Sequence, residues 1–365
     1  MIYLDHNATS PMLGEVRDAM EPWWGRPANP ASVHRAGQAA AVAVEQARAQ
    51  VAALVGGNPA GVVFTGGATE ANHLIIRGAA SRLGAEQSIA VSAVEHPCVR
   101  GAAELTGLPV DVIGVDRDGA IRVADIPQRV GLVSVMAANH ETGVIHDIAA
   151  VSARARETGA FVHVDAVQAA ARLDMDFSGV HAVVMSAHKM GGPPGVGCAV
   201  LTDGDPFPAL LTGGAQERGR RAGTVNVAGV VGFGAACAVA LRDRAVRSDH
   251  SERLASRLRA GLNALGARQI GGASRLHAVT CVVFPGVAGE AVVQALDLRG
   301  ICVSHGAACS SGSLDPSPVL LAMADPDPRG GVRFSTGPST TQADIDATLS
   351  ALGELVPLLV DAWDE

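Results

Sequence analysis

The chain has 365 residues, 48% of them hydrophobic and 18% charged, which is long enough for a large buried core and two domains and too apolar for a disordered chain. A net charge of −8 argues against nucleic acid as the main partner. The six cysteines (Cys98, Cys198, Cys237, Cys281, Cys302, Cys309) are scattered without metal-ligand spacing, and in a chain this long they make no disulfide framework.

Met1-Ile2-Tyr3-Leu4-Asp5 shows no charged n-region and no apolar h-region, so no signal peptide is read there. The most apolar stretch, 225–241, is glycine-rich and falls short of the roughly 20 residues of a membrane span. It is expected as a buried helix, with no membrane association and a cytoplasmic setting.

A short strand at 2–4 leads to the polar loop Asp5-His6-Asn7-Ala8-Thr9-Ser10-Pro11, and Asn29-Pro30-Ala31-Ser32-Val33-His34-Arg35 makes a second polar loop. An alanine-rich helix follows over about 36–55, closed by Gly56-Gly57. From there strands alternate with helices. Residues 62–64 read as a strand running into Thr65-Gly66-Gly67-Ala68-Thr69-Glu70 and then a helix through Arg77. Strand, glycine turn and helix N-terminus make an anion site, because unpaired N–H groups and the helix dipole point at the turn. The ordinary alternative is a tight turn with Thr69 as a cap.

Further apolar segments each end in polar residues. Residues 88–94 lead to Glu95-His96-Pro97, 132–137 to Ala138-Asn139-His140-Glu141-Thr142-Gly143, and 161–164 to Asp165-Ala166-Val167-Gln168. Residues 183–185 lead to Ser186-Ala187-His188-Lys189, and 110–115 and 196–201 are two more strands. Such alternation predicts an α/β fold with a mostly parallel, buried sheet and ligands at the carboxyl ends of its strands. One edge then collects His96, Asn139, His140, Asp165, Gln168 and Lys189. Taken singly, His96 is an ordinary loop histidine, Asp165 a helix cap and Gln168 a surface residue. Lysines are normally kept out of cores. A desolvated lysine at a strand end is a usable amine for imine chemistry. Together with a carboxylate that keeps a pyridine nitrogen protonated and a phosphate-type turn, the set describes a pyridoxal 5'-phosphate site.

The loop Thr212-Gly213-Gly214-Ala215-Gln216-Glu217-Arg218-Gly219-Arg220-Arg221-Ala222-Gly223-Thr224 is basic and glycine-rich, suited to facing an anion or simply to solvent. A long helical region to about Leu265 leads to a second, α+β unit with strands at 277–284, 301–303 and 332–334 and helices at 290–299 and 342–359, completed by the N-terminal strand. There Ser304-His305-Gly306-Ala307-Ala308-Cys309-Ser310-Ser311-Gly312-Ser313 sets a cysteine among small residues, the mark of a reactive thiol. The other five cysteines sit mostly on apolar elements and read as inert. Arg333, on a strand-like segment, suits a carboxylate held bidentately or a structural salt bridge.

With these motifs in hand the chain resembles the cysteine desulfurases of the pyridoxal-phosphate-dependent fold-type I, class V aminotransferase-like superfamily. The resemblance runs over nearly the whole chain, from Tyr3-Leu4-Asp5 through Asn29-Pro30, His163-Val164-Asp165-Ala166-Val167-Gln168, Ser186-Ala187-His188-Lys189 and Gly306-Ala307-Ala308-Cys309-Ser310-Ser311-Gly312 to Arg333-Phe334-Ser335. It implies a large domain, 15–246, with a mostly parallel seven-stranded sheet flanked by helices. It also implies a small α+β domain, 1–14 with 247–365, carrying the cysteine loop.

Position by position, it implies that Lys189 carries the cofactor as an imine, Asp165 pairs with the pyridine nitrogen and Gln168 bonds the phenolate oxygen. His96 stacks on the ring and moves protons. Ala68, Thr69, Ser186 and His188 hold the phosphate, and Thr224 reaches the phosphate of the other subunit of a homodimer. Arg333, with Asn29 and His34, binds the substrate. Cys309 is the nucleophile that takes sulfur from L-cysteine as a persulfide, leaving L-alanine and passing sulfur to a protein acceptor: an iron–sulfur scaffold, a tRNA-thiolation enzyme or a molybdenum-cofactor sulfur carrier.

Two departures stand out. In the family's Asn-Asn-Glu-x-Gly pattern the second Asn contacts the cofactor; here His140 stands at that position, so Asn139 or His140 makes that contact. The C-terminus is shorter than in members whose tail docks an iron–sulfur scaffold. A selenocysteine lyase shares nearly all of this site, a class V aminotransferase would not need the Cys309 loop, and a cofactor-binding adaptor would not need His96.

Overall fold

The computed structural model describes residues 1–202, 207–306 and 315–361. Its strands are β1 (Ile2–Tyr3), β2 (Val62–Thr65), β3 (Ser88–Ser92), β4 (Val110–Ile113), β5 (Val130–Met136), β6 (Phe161–Asp165), β7 (Ala182–Ser186), β8 (Gly197–Leu201), β9 (Arg268–Gln269), β10 (Val279–Val283), β11 (Ile301–Cys302), β12 (Ser304–His305) and β13 (Gly331–Ser335). Its α-helices are α1 (Gly14–Met20), α2 (Arg35–Leu54), α3 (Ala68–Ala80), α4 (Pro97–Glu104), α5 (Ile148–Thr158), α6 (Val227–Ala264), α7 (Gly289–Asp297), α8 (Pro318–Ala322) and α9 (Gln342–Asp361).

Seven strands form one sheet in the order β2-β8-β7-β6-β5-β3-β4. The pairs from β7 through β4 are parallel, while β8 runs antiparallel to both β2 and β7. The sheet is therefore mostly parallel, as expected, and β2 points the same way as β7. The carboxyl ends of β2, β3, β5, β6 and β7 share one edge.

The strands are near-continuous apolar runs because both faces are covered. Alternate residues go to opposite layers. Val62, Phe64, Val183 and Met185 pack in the cluster that includes α2 and the first half of α6, whereas Val63, Ala182 and Val184 pack with α3 and α4. The apolar stretch 225–241 forms the first part of α6, capped by the Asn226 side chain, which accepts from the Gly229 N–H. No helix among the described residues is long and apolar enough to cross a membrane.

A second sheet, β12-β13-β10-β9, is antiparallel, and β1 pairs parallel to β11. Leu4, Phe284, Phe334 and Leu352 make its core with α7 and α9. The N-terminus thus belongs structurally to the C-terminal part of the chain. A bridge between Asp5 and Ser335 then carries the loop at 5–10 across to the edge of the large sheet.

Candidate active site

At the carboxyl edge lies a cavity of about 800 Å³. Of the residues expected there, Lys189, Asp165, Gln168, His96 and Arg333 line it. So do Ala68, Thr69, Ser186, His188 and His140. Asn139 does not. Its side chain Oδ1 accepts from the N–H groups of Glu141 and Thr142, and its Nδ2 donates to the Val94 carbonyl, so it shapes the loop instead. Asn29 and His34 lie on an exposed loop outside the cavity, where His34 Nδ1 accepts from the Gly37 N–H and opens α2. Thr224 is exposed and does not line this cavity. Cys309 lies outside the described residues.

Lys189 sits just beyond β7, where the chain leaves the sheet in a single 3₁₀ turn. Its Nζ donates to the carbonyls of Asn7 at 2.5 Å and Ala8 at 2.8 Å, which hold the amine at the cavity wall. Asp165, at the end of β6, accepts from Asn72 Nδ2 at 2.9 Å and from the Val167 N–H at 3.0 Å. Two donors of this kind stabilise the carboxylate and fix its direction. Gln168 donates to the Asn7 carbonyl and accepts from Arg172. Arg172 also donates to Asn7 Oδ1 at 2.7 Å, and its burial with the nearby Arg333 charge lowers its pKa to about 10.

Asn7, in the polar loop after β1, is thus a hub to which the sequence pattern assigns no role. It is 1% exposed, takes Lys189, Gln168 and Arg172 on its oxygens, and donates to the His140 carbonyl. The signal available was the run Asp5-His6-Asn7-Ala8-Thr9, which carried the resemblance but no assigned role.

His96 caps α4. The Cys98 N–H donates to His96 Nδ1 at 3.2 Å. A backbone N–H can only donate, so Nδ1 accepts and the neutral ring carries its proton on Nε2. Burial lowers the His96 pKa, with the Lys189 charge in the same direction. The His140 ring meets His96 edge to face at 5.7 Å, and burial, followed by the His96 charge, holds His140 well below the usual imidazole range. Cys98, read from sequence as inert, also lines the cavity, with Sγ 3.0 Å from His96 Nδ1. Burial pushes its thiol up to about 12, so it stays protonated at neutral pH.

The glycine turn after β2 reaches the cavity at the start of α3. Gly67 provides no side-chain cap, so the leading N–H groups of this 13-residue helix are left for an outside acceptor. The turn packs on β8 through Gly197, where a β-carbon would lie 2.6 Å from the Gly67 carbonyl carbon and 2.8 Å from the Ala68 nitrogen. Both are backbone atoms and cannot yield. Gly197→Ala is expected to destabilise the fold by about 1–3 kcal/mol and to displace the turn. The check is a lower thermal midpoint together with faster loss of cofactor on dialysis.

The 212–224 loop uses its charges internally. Arg48 binds Glu217 bidentately at 2.8 and 3.0 Å, and Glu217 also accepts from the Phe64 N–H in β2. Arg221 binds Glu70 in the first turn of α3. Glu217 and Arg218 adopt φ of 48° and 58°, unfavourable for residues with a side chain and sustained by this buried pair. Glu217→Ala removes the buried half of Arg48's pairing and leaves it only the more exposed Glu45 carboxylate on Nε at 3.0 Å, and unfolding by denaturant should show a loss of about 3 kcal/mol.

Arg333 donates to Asp5 Oδ1 at 2.6 Å and to the His140 carbonyl at 2.9 Å. Its Nε is buried with no partner among the described residues. The donor set fits pyridoxal phosphate: an amine for the aldehyde, a carboxylate aimed by Asn72 for a pyridinium, a bare helix start with Ser186 and His188 for phosphate, and room for the ring. Among the described residues no cluster could hold a metal ion.

Comparison with known proteins agrees. The family model for class V aminotransferases matches residues 2–348. The chain belongs to this family, and pyridoxal phosphate is its cofactor. A cysteine desulfurase of Cereibacter sphaeroides is 40% identical, covering 99% of this chain and 96% of that protein. A solved NifS-like protein superposes with a TM-score of 0.91 at 31% identity, covering 98% of this chain and all of that one. The protein SspA, solved in complex with cysteine, superposes with a TM-score of 0.82 at 29% identity over 93% of this chain.

Proposed function

We propose that this site desulfurates L-cysteine, with Cys309 as the sulfur acceptor; the chain is a cysteine desulfurase. The observation that carries the reading is one cavity that holds Lys189, Asp165, His96 and Arg333 and is also lined by Gly306, from which the Cys309 segment departs. The cofactor, when bound, supplies an aldehyde for the substrate amine and a ring that draws electrons from the substrate carbons.

The chain's residues do the rest. Lys189 would anchor the cofactor through its amine, and Asp165 would hold a proton on the ring nitrogen. Arg333 pairs with the substrate carboxylate, and Gln168 fixes the ring oxygen. His96 carries a proton on Nε2 beside the reacting carbons. The Cys309 thiolate attacks the substrate sulfur, the carbon–sulfur bond breaks, and its electron pair stays with the three-carbon fragment. That fragment takes up a proton and leaves as alanine, and Cys309 is left as a persulfide for a protein acceptor. His140, not Asn139, takes the place of the family's cofactor-contacting amide.

Thr224 is exposed and away from its own cavity, which supports a homodimer in which it reaches the partner's phosphate site. The large unit, 15–246, then holds the cofactor, and 1–14 with 247–365 carries Cys309. The test is L-cysteine added to the holoprotein under reductant. Equal amounts of alanine and sulfide, with a change in the visible spectrum, are expected. Transfer of the amino group to a keto acid without sulfide would reassign the chain as an aminotransferase.

A further inference from the structure

The segment carrying Cys309 leaves from Gly306 and returns to the described chain before Ser317. Both roots meet one side chain. Ser317 Oγ donates to Glu141 Oε2 at 2.6 Å. A β-carbon at Gly306 would lie 2.2 Å from that same oxygen, so the Gly306 backbone rests directly on the carboxylate. Glu141 is 2% exposed. A buried carboxylate is costly unless its partners hold it, and here they join segments far apart in sequence.

The surroundings fix the arrangement. The Glu141 N–H donates to Asn139 Oδ1, and the preceding residue, His140, lines the cavity. Ser317 is held on three sides. Its N–H donates to the Pro328 carbonyl, its Oγ accepts from the Leu320 N–H at the start of α8, and its hydroxyl proton goes to Glu141. Burial pushes the Glu141 carboxyl up to about 7, against the Ser317 hydrogen bond and the Arg333 charge.

We infer that Glu141 is a positioning residue for sulfur transfer: it pins both roots of the Cys309 segment to the loop that carries His140, and so sets where Cys309 can reach. The inference rests on reading Cys309 as the sulfur acceptor. A tethered nucleophile reacts at a rate set by how often its tether delivers it in line, and an ångström of misplacement costs on the order of 10²-fold. Glu141 Oε1 also lies 3.6 Å from His140 Nε2, so S317A, which removes a root contact and leaves that approach in place, separates the nucleophile's reach from the cofactor site.

The experiment compares E141A, E141Q, S317A and the E141A/S317A pair as holoenzymes. The readouts are the visible spectral change on adding L-cysteine, KM and kcat for alanine formation, and single-turnover alanine yield. E141A is expected to keep the spectral change and a KM within about twofold, while kcat falls by about 10-fold or more. E141Q, whose amide oxygen still accepts from Ser317, recovers most of the rate. S317A falls in the same sense, and the pair falls no further than E141A, as expected for two halves of one contact. Unchanged turnover in E141A, an E141Q as slow as E141A, or losses that simply add would each overturn the inference. If E141A fails to fold, an S317A with normal kcat does so. An unsubstituted protein that makes no alanine from cysteine overturns the Cys309 reading itself, and this inference with it.

Discussion

Cys309→Ala is expected to keep the visible absorbance of the bound cofactor and its response to L-cysteine, while sulfide release falls by on the order of 10³-fold or more, the scale of removing a nucleophile. The separation follows from geography. Lys189, Asp165 and His96 stand on the edge of the large sheet, whereas the Cys309 segment departs from β12 of the second sheet. Lys189 is held by the Asn7 and Ala8 carbonyls, and Asp165 by Asn72 and the Val167 N–H, none of which the substitution changes. Binding and proton movement at the substrate carbons therefore survive, and only the step that needs a second sulfur stops. The measurement is sulfide and alanine under reductant, alongside the spectrum. Turnover at the unsubstituted rate would sink the persulfide route.

The edge of the sheet was legible in the sequence because its strands are short apolar runs, each followed by a polar residue. In a parallel sheet that pattern places Asp165, His96 and Lys189 together before any contact is known. Strand ends shifted by one or two residues, as at 88–94, where β3 stops at Ser92. The chain turns there because the Glu95 N–H bonds back to the Ser92 carbonyl.

What pattern could not show is long-range. Asn7 acts through its carbonyl, which meets Lys189 some 180 residues away, and its amide, which meets Arg172 and the His140 carbonyl, and nothing local in a polar loop signals it. The basic loop at 212–224 suits an anion as a sequence. Its burial of Glu217 against Arg48 depends on α2, which precedes it by well over a hundred residues. The choice between Asn139 and His140 likewise needed the fold. Both are polar and adjacent, and only the direction of the loop sends the imidazole to the cavity and the amide into the loop's own backbone.

Lys189→Ala is expected to abolish covalent retention of the cofactor: the visible absorbance is lost on gel filtration, and turnover falls by on the order of 10³-fold or more. On the proposed reading the remaining anchors would be the backbone N–H groups at α3 and the side chains Ser186 and His188, which line the cavity and would hold a phosphate without a bond to the ring. Asp165 still has Asn72 and the Val167 N–H, so residual, reversible binding should persist and be seen by equilibrium dialysis. The two carbonyls of Asn7 and Ala8 lose their shared donor, but both face a wide cavity where water can replace the ammonium. The fold should therefore melt near its normal temperature. A variant that keeps the unsubstituted spectrum after gel filtration would show that another amine holds the cofactor. A variant that unfolds would instead assign Lys189 a structural duty through Asn7.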